Sequence, residues 1–288
     1  MVERINVMDE DWDYLIILDA CRYDYFSKIF PNYFQGEFRK VISPGSSTIE
    51  WCRKSFKEFY DDVIYVSANP FINSKIEVQN FRAKEHFYKV VDVWDWGCND
   101  QLGTVHPKQV NETVDKFKDS YPDKRFIIHY LQPHEPYLVQ NLNCPGFAKP
   151  RLVFGRLTWG APSLEKERKI TTLITNSPVF QKLLNFLAKK MGGDPSWKLR
   201  EKLNHPALPT EILRKNVGIS GLRKAYAENL KLVLSYVAKL VESLSGAIIV
   251  TADHGERLGE GNSFSHYPEL FDTLLIEVPW LKIGKKVI

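Results

Sequence analysis

The chain has 288 residues, of which 44% are hydrophobic, and a formal net charge of +4. This length suits one large α/β domain or one domain carrying an insertion, and the hydrophobic content excludes global disorder. Lys and Arg are dispersed, which argues against a nucleic-acid-binding protein and leaves only a weak net field for acidic substrates. Cys21, Cys52, Cys98 and Cys144 form no CxxC pair. A zinc ribbon or redox motif is therefore not expected, and four reduced thiols in a cytoplasmic protein are. Residues 1–13 are charged and polar rather than leader-like, and no apolar run reaches the ~20 residues that span a bilayer.

Trp12 to Leu18 is a nearly continuous apolar run, the pattern of a central strand buried on both faces. Asp19 ends it, as a helix cap or as a ligand, and Ala20 to Phe26 begins a helix. Phe38 to Ile42 reads as a second strand. The cluster Ser46-Ser47-Thr48 follows, then a helix to about Phe59. Ser47 and Glu50 have capping-box spacing, which leaves Ser46 just outside the helix, facing its free N–H groups. Such a hydroxyl either caps or attacks a phosphate or sulfate held there.

Val63 to Ser67 and Val90 to Val93 are further strands, and Lys108 to Asp119 is an amphipathic helix. Phe126 to Leu131 is a strand running into Gln132-Pro133-His134-Glu135-Pro136-Tyr137, where two prolines fix the backbone around His134. Asn141 to about Gly218 (residues 141–218) breaks the alternation, with helical patches at Val179 to Lys190 and Glu211 to Asn216. It reads as an inserted lid or specificity segment, its basic, apolar helices expected to pack on the parent domain, with a membrane surface or a partner as the alternative. Leu222 to Leu244 keeps helical spacing. Ala247 to Val250 is a short buried strand, and Thr251-Ala252-Asp253-His254-Gly255-Glu256 stands where it ends. Strand carboxyl ends are where open α/β sheets bind ligands, and Asp and neutral His both hold metals. A Gly-rich loop then leads to His266-Tyr267-Pro268, with late strands at Leu274 to Ile276 and Val278 to Ile283.

Asp253-His254-Gly255-Glu256 with Leu258-Gly259-Glu260, the segment Pro133-His134-Glu135-Pro136-Tyr137, and His266-Tyr267-Pro268 resemble motifs of the alkaline phosphatase and sulfatase superfamily. The similarity is to its sulfatase and phosphoethanolamine or lipoteichoic-acid transferase branches. Asp19-Ala20-Cys21-Arg22-Tyr23-Asp24 resembles a group of archaeal sulfatase-like proteins. The resemblance covers most of the chain outside residues 141–218. It implies a three-layer α/β/α sandwich with a mostly parallel central sheet, interrupted by a helical insertion. It also implies at least one divalent metal, Mn, Zn, Mg or Ca, held by Asp19, Asp253, His254 and the nucleophile. In the family a His, Glu or Arg often stands four residues after the nucleophile, commonly with an aromatic next. Glu50-Trp51 thus places the nucleophile at Ser46, with Ser47 and Thr48 as fallbacks. His134 and His266 would contact the transferred or leaving group, or hold a second metal with Glu135. Arg22 would clamp a phosphate oxygen or make an ion pair.

Two departures steer the chemistry. Ser46-Ser47-Thr48-Ile49-Glu50 lacks the Pro and Arg of the formylglycine motif, which turns the expectation from sulfate towards phosphate esters. Tyr130 occupies the place, four before His134, where two-metal members carry an Asp, which favours one firm metal site. The implied activity is a metal-dependent hydrolase or transferase of phosphate esters, on a small-molecule, glycan or lipid substrate. A sulfatase without formylglycine and a non-catalytic metal- or anion-binding protein are the alternatives.

Overall fold

A computed structural model describes residues 2–139, 144, 146–153, 156–158 and 208–283. Most of the expected insertion, including the helical patch at 179–190, lies outside the described residues. The main sheet has eight strands: β1 (Glu3–Arg4), β2 (Tyr14–Leu18), β3 (Glu37–Ile42), β4 (Tyr60–Ser67), β5 (Phe87–Asp92), β8 (Arg125–Tyr130), β11 (Ile248–Thr251) and β14 (Glu277–Ile283). Their order is β1-β3-β14-β11-β2-β8-β4-β5. Only β14 runs against its neighbours, β3 and β11. The other pairings are parallel, so β2, β3, β4, β8 and β11 all bring their carboxyl ends to one edge.

The apolar runs explain this centre. Leu15, Ile16, Ile17 and Leu18 are fully buried, as are Ile127 and Ile128 beside them. A strand flanked by two parallel neighbours and covered on both faces has no polar side to display. The helices are α1 (Tyr23–Ile29), α2 (Thr48–Ser55), α3 (Val93–Trp96), α4 (Pro107–Lys118), α5 (Pro209–Val241) and α6 (Thr273–Ile276). Short pairs β6 (Cys98–Asn99) with β7 (Thr104–Val105), β9 (Arg151–Val153) with β10 (Arg156–Thr158), and β12 (Arg257–Leu258) with β13 (Phe264–Ser265) complete the described elements.

α5 joins the two predicted helical stretches across Gly218, whose φ of 70° and ψ of −177° interrupt the helix. It packs against α1 and α4. Its first turns bring Leu213 into a small apolar cluster with Tyr137, Tyr226, Leu258 and Phe264. The described end of the expected insertion therefore packs on the parent domain. Leu274 to Ile276, read as strand material, is instead the one-turn helix α6, because the Asp272 side chain accepts from Leu274 N at 3.1 Å and caps it. No helix among the described residues is long and apolar enough to cross a membrane.

Candidate active site

Asp19 follows β2 directly and Asp253 lies two residues beyond β11, on the adjacent parallel strand. Both are essentially inaccessible, as is His254. Asp253 Oδ1 accepts from Ala20 N at 3.1 Å and from His254 N at 2.9 Å, so its carboxylate is locked to both strand ends. Ala20 adopts a positive φ of 56°, held there by Tyr226, whose hydroxyl donates to Ala20 O at 2.7 Å and accepts from Arg22 N at 2.9 Å. Gly255 is required by space: a Cβ there would lie 2.1 Å from Leu274 O.

Asp19 Oδ1 and Asp253 Oδ2 are buried without a hydrogen-bond partner. They lie 3.8 and 3.3 Å from His254 Nε2. His254 Nδ1 meets Gly255 O at 2.8 Å. A carbonyl only accepts, so Nδ1 carries a proton and Nε2 is the ring atom turned to the two carboxylates. Thr48 Oγ1 stands 3.3 Å from the same Nε2. Two orphaned carboxylate oxygens, an imidazole nitrogen and a hydroxyl thus converge at one buried point. Buried carboxylate oxygens without donors are costly, and a divalent cation is the group that satisfies all four atoms at once. The residues fit such an ion.

The hydroxyl brought to this point is Thr48, the first residue of α2, and not Ser46. Ser46 Oγ donates to Tyr267 O at 2.7 Å, meets Glu50 Oε2 at 3.0 Å and accepts from Leu270 N at 3.1 Å. The capping box is displaced in the same way. Glu50 reaches back to Ser46 N at 3.0 Å, and Ser47, the N-cap, makes no side-chain cap bond. Glu50 is buried, which would raise its pKa, but bonds from Glu269 N, Lys54 and Ser46 hold it below its ordinary value. The Glu50 spacing that pointed to Ser46 thus brings these two side chains into contact.

His129, on β8 opposite Ile17 and Ser67, was read only as part of a strand. It is fully buried, and its Nε2 lies 3.5 Å from Asp19 Oδ2 and 4.0 Å from Asp253 Oδ2. Despite burial, Asp19 is driven far below the usual carboxylate range by His129, His134 and His254.

His134 and His266 form an outer group around Glu256. Glu256 Oε1 is 4.0 Å from His134 Nε2 and 3.8 Å from His266 Nδ1. The His266 ring centroid is 4.1 Å from that of His254 and 5.3 Å from that of His134. Burial disfavours the His134 cation, but Glu256, Asp19 and Glu135 outweigh it and push its pKa up to about 9. Burial, together with His254 and His134, drives His266 well below its ordinary value. Glu256 is itself pushed up by burial.

Among the described residues, Asp19, His129 and Asp253, and separately His134, Glu256 and His266, have ligand atoms within 4.8 Å of one another. The carboxylate joining the two outer histidines is thus Glu256, not Glu135. Glu135 Oε2 accepts from Thr210 N at 2.5 Å, on α5. The loop carrying His134, with both its X–Pro bonds cis, is clamped by Asn229, whose amide donates to Pro133 O, His134 O and Pro136 O at 3.1 to 3.4 Å.

Arg22 is 4% exposed and fully engaged. Its guanidinium binds both Asp24 oxygens at 2.9 Å, Glu260 Oε1 at 2.8 Å and Glu256 O at 3.3 Å. Of the two roles expected for it, the geometry gives the ion pair, which fastens the backbone beneath Glu256.

No protein-family model and no curated protein matches the chain. Solved structures do. The soluble domain of lipooligosaccharide phosphoethanolamine transferase A from Neisseria meningitidis aligns with 95% of this chain and 76% of its own length, at 14% identity and a TM-score of 0.53. The integral membrane form of that enzyme aligns with 99% of this chain at a TM-score of 0.56 and 14% identity, so the chain spans half its length. The C-terminal periplasmic domain of EptC from Escherichia coli, in complex with Zn, aligns over 99% of this chain and 78% of its own, at 10% identity and a TM-score of 0.53. The fold is therefore the alkaline phosphatase-like α/β fold of these enzymes, as the motifs implied.

Proposed function

We propose that the chain is a metal-dependent hydrolase or transferase of phosphate esters in which Thr48, rather than Ser46, is the nucleophile. The observation that supports this best is the convergence of Thr48 Oγ1 on His254 Nε2, where Asp19 Oδ1 and Asp253 Oδ2 are otherwise unpartnered. One nitrogen and three oxygens suit Zn²⁺ or Mn²⁺ better than the all-oxygen preferences of Mg²⁺ and Ca²⁺. An ion held there would lower the pKa of a bound hydroxyl and neutralise charge developing on phosphoryl oxygens.

The chain's own groups carry the proton work. Thr48 Oγ1 attacks phosphorus, a Thr48 O–P bond forms and the bond to the leaving alcohol breaks. The first-turn amides of α2 lie beside the transferred group, where helix N–H dipoles favour its oxygens. His134, kept protonated by Glu256, gives its proton to the leaving oxygen. His266, kept neutral, takes the proton of the attacking hydroxyl. Environments that push two imidazoles to opposite sides of neutral pH assign the acid and the base. A second acceptor, water or an alcohol, then attacks the phosphothreonine, giving its proton to His134, while the Thr48 O–P bond breaks and His266 returns a proton to Thr48 Oγ1, with overall retention at phosphorus. The similarity to transferases named for a lipooligosaccharide substrate supports a glycan or lipid hydroxyl as a candidate acceptor. Parallel assays with aryl phosphate, bis-aryl phosphate and aryl sulfate, with Zn²⁺ or Mn²⁺ added, test the reading. Turnover of the sulfate alone would make the chain a sulfatase, and turnover of none would leave a binding protein.

A further inference from the structure

We propose that His129 is a positioning residue and not a metal ligand: with Tyr65 it braces the far oxygen of Asp19, so that the near oxygen stays aimed at the ion. This rests on Asp19, Asp253 and His254 as the metal-holding set.

Three observations on β4, β8 and the β2 end carry it. The Tyr65 hydroxyl is fully buried and meets His129 Nδ1 at 2.8 Å. Among the described residues it has no second hydrogen-bond partner. A buried phenol keeps its proton and must place it on an acceptor. The acceptor is Nδ1, so the neutral ring carries its own proton on Nε2. Nε2 faces Asp19 Oδ2 at 3.5 Å and Asp253 Oδ2 at 4.0 Å. Lastly, Asp19 Oδ2 is already held by Asn69 Nδ2 at 2.6 Å, while the oxygen on the His254 side is Oδ1. Asn69 thus bonds one carboxylate oxygen, His129 Nε2 stands over the same oxygen without a hydrogen bond of its own, and the other oxygen is left for the cation. His254 is wired the opposite way, because its Nδ1 faces a carbonyl that can only accept. Outer contacts of this kind fix ligand orientation, and their loss typically costs 10–100-fold in metal affinity.

The test combines tautomer, ligand count and affinity. In a ¹H–¹⁵N multiple-bond spectrum of histidine-labelled protein, His129 is expected to carry its proton on Nε2 without metal and after one equivalent of Zn²⁺. A proton on Nδ1, or loss of the Nε2 proton on zinc loading, would overturn the proposal. X-ray absorption of the zinc-loaded protein is expected to count one imidazole in the wild type and one in His129→Ala, with zinc affinity weakened roughly 10–100-fold in the variant. Two imidazoles falling to one, or an unchanged affinity, would overturn it. His129→Gln, which still offers an amide N–H, is expected to recover most of the affinity. Tyr65→Phe keeps the packing and removes only the phenol proton, so a mixture of tautomers is expected there even if His129→Ala fails to fold. A wild-type protein that binds no zinc would count against the proposed function, and the tautomer of the metal-free protein would still decide this point.

Discussion

The inner group of Asp19, Asp253 and His254 and the outer group of His134, Glu256 and His266 are built from the same residue types. They differ in what stands beside their unpaired atoms. In the inner group each side chain has one atom pinned, to Asn69, to the Ala20 and His254 amides or to Gly255 O, and the other atom left over. The leftover atoms share a point with Thr48, which suits a cation. In the outer group one carboxylate stands between two imidazoles shifted in opposite directions, His134 upward by Glu256 against its burial and His266 downward by burial and its neighbouring histidines. That suits proton transfer.

The largest effect should come from Thr48. Thr48→Ala is expected to lower kcat by at least about 10³-fold while zinc still binds, since Asp19, Asp253 and His254 remain. Ser46→Ala is expected to leave kcat within a few-fold and to cost about 1–2 kcal/mol in denaturant unfolding, for the lost contacts to Tyr267, Glu50 and Leu270. Equal loss in both variants would erase the distinction between the two hydroxyls.

His134→Gln comes next, with a fall in kcat of about 10²–10⁴-fold. An acid must be protonated to act. Activity in the wild type is therefore expected to fall as pH rises through about 9, and that alkaline limb should vanish in the variant. A limb that persists would assign the proton to another group.

Removal of the ion should separate the groups thermally. Zinc at 100 times its Kd is expected to stabilise the protein by about 2.7 kcal/mol, and chelation to reverse this. Asp253→Asn should lose the zinc-dependent shift in melting temperature, whereas His266→Gln should keep it. Loss in both would merge the two groups into one binuclear centre.

The smallest effect concerns Glu135, which burial pushes up to about 7 against the opposing influence of His134 and the Thr210 contacts. A carboxyl whose folded pKa exceeds its unfolded value of 4.5 contributes its stability fully below that value and loses it as pH rises through about 7. His134 adds the same sign at higher pH, its share lost through about 9. The metal-free protein should lose on the order of 1–3 kcal/mol between pH 5 and 7 that Glu135→Gln retains, read from unfolding curves across pH.

Much of this arrangement was legible in the residues. Apolar runs ending in Asp19 and Asp253-His254 located the parallel strands and their carboxyl ends, because strands buried on both faces leave their polar residues at the tips. The choice among Ser46, Ser47 and Thr48 was not legible. It depends on where the loop of Tyr267 to Leu270, more than 200 residues away in sequence, offers partners to Ser46. His129 was missed because a lone His inside Ile127-Ile128-His129-Tyr130 looks like core. The signal available was that an imidazole in a strand buried on both faces needs polar partners from its neighbours. Glu256 was read as part of a motif rather than as a site residue, since nothing in the spacing shows which of the acids Glu135 and Glu256 turns towards the histidines.

The identity of the residue that carries the phosphoryl group tests the central claim most directly. Protein mixed with an aryl phosphate and zinc, acid-quenched within the first turnover and digested, can be mapped by fragment-ion mass spectrometry across Val41 to Arg53, which spans Ser43, Ser46, Ser47 and Thr48. Phosphate on Thr48 is the predicted result. Phosphate on Ser46 or Ser47, or turnover that persists in Thr48→Ala, would contradict it.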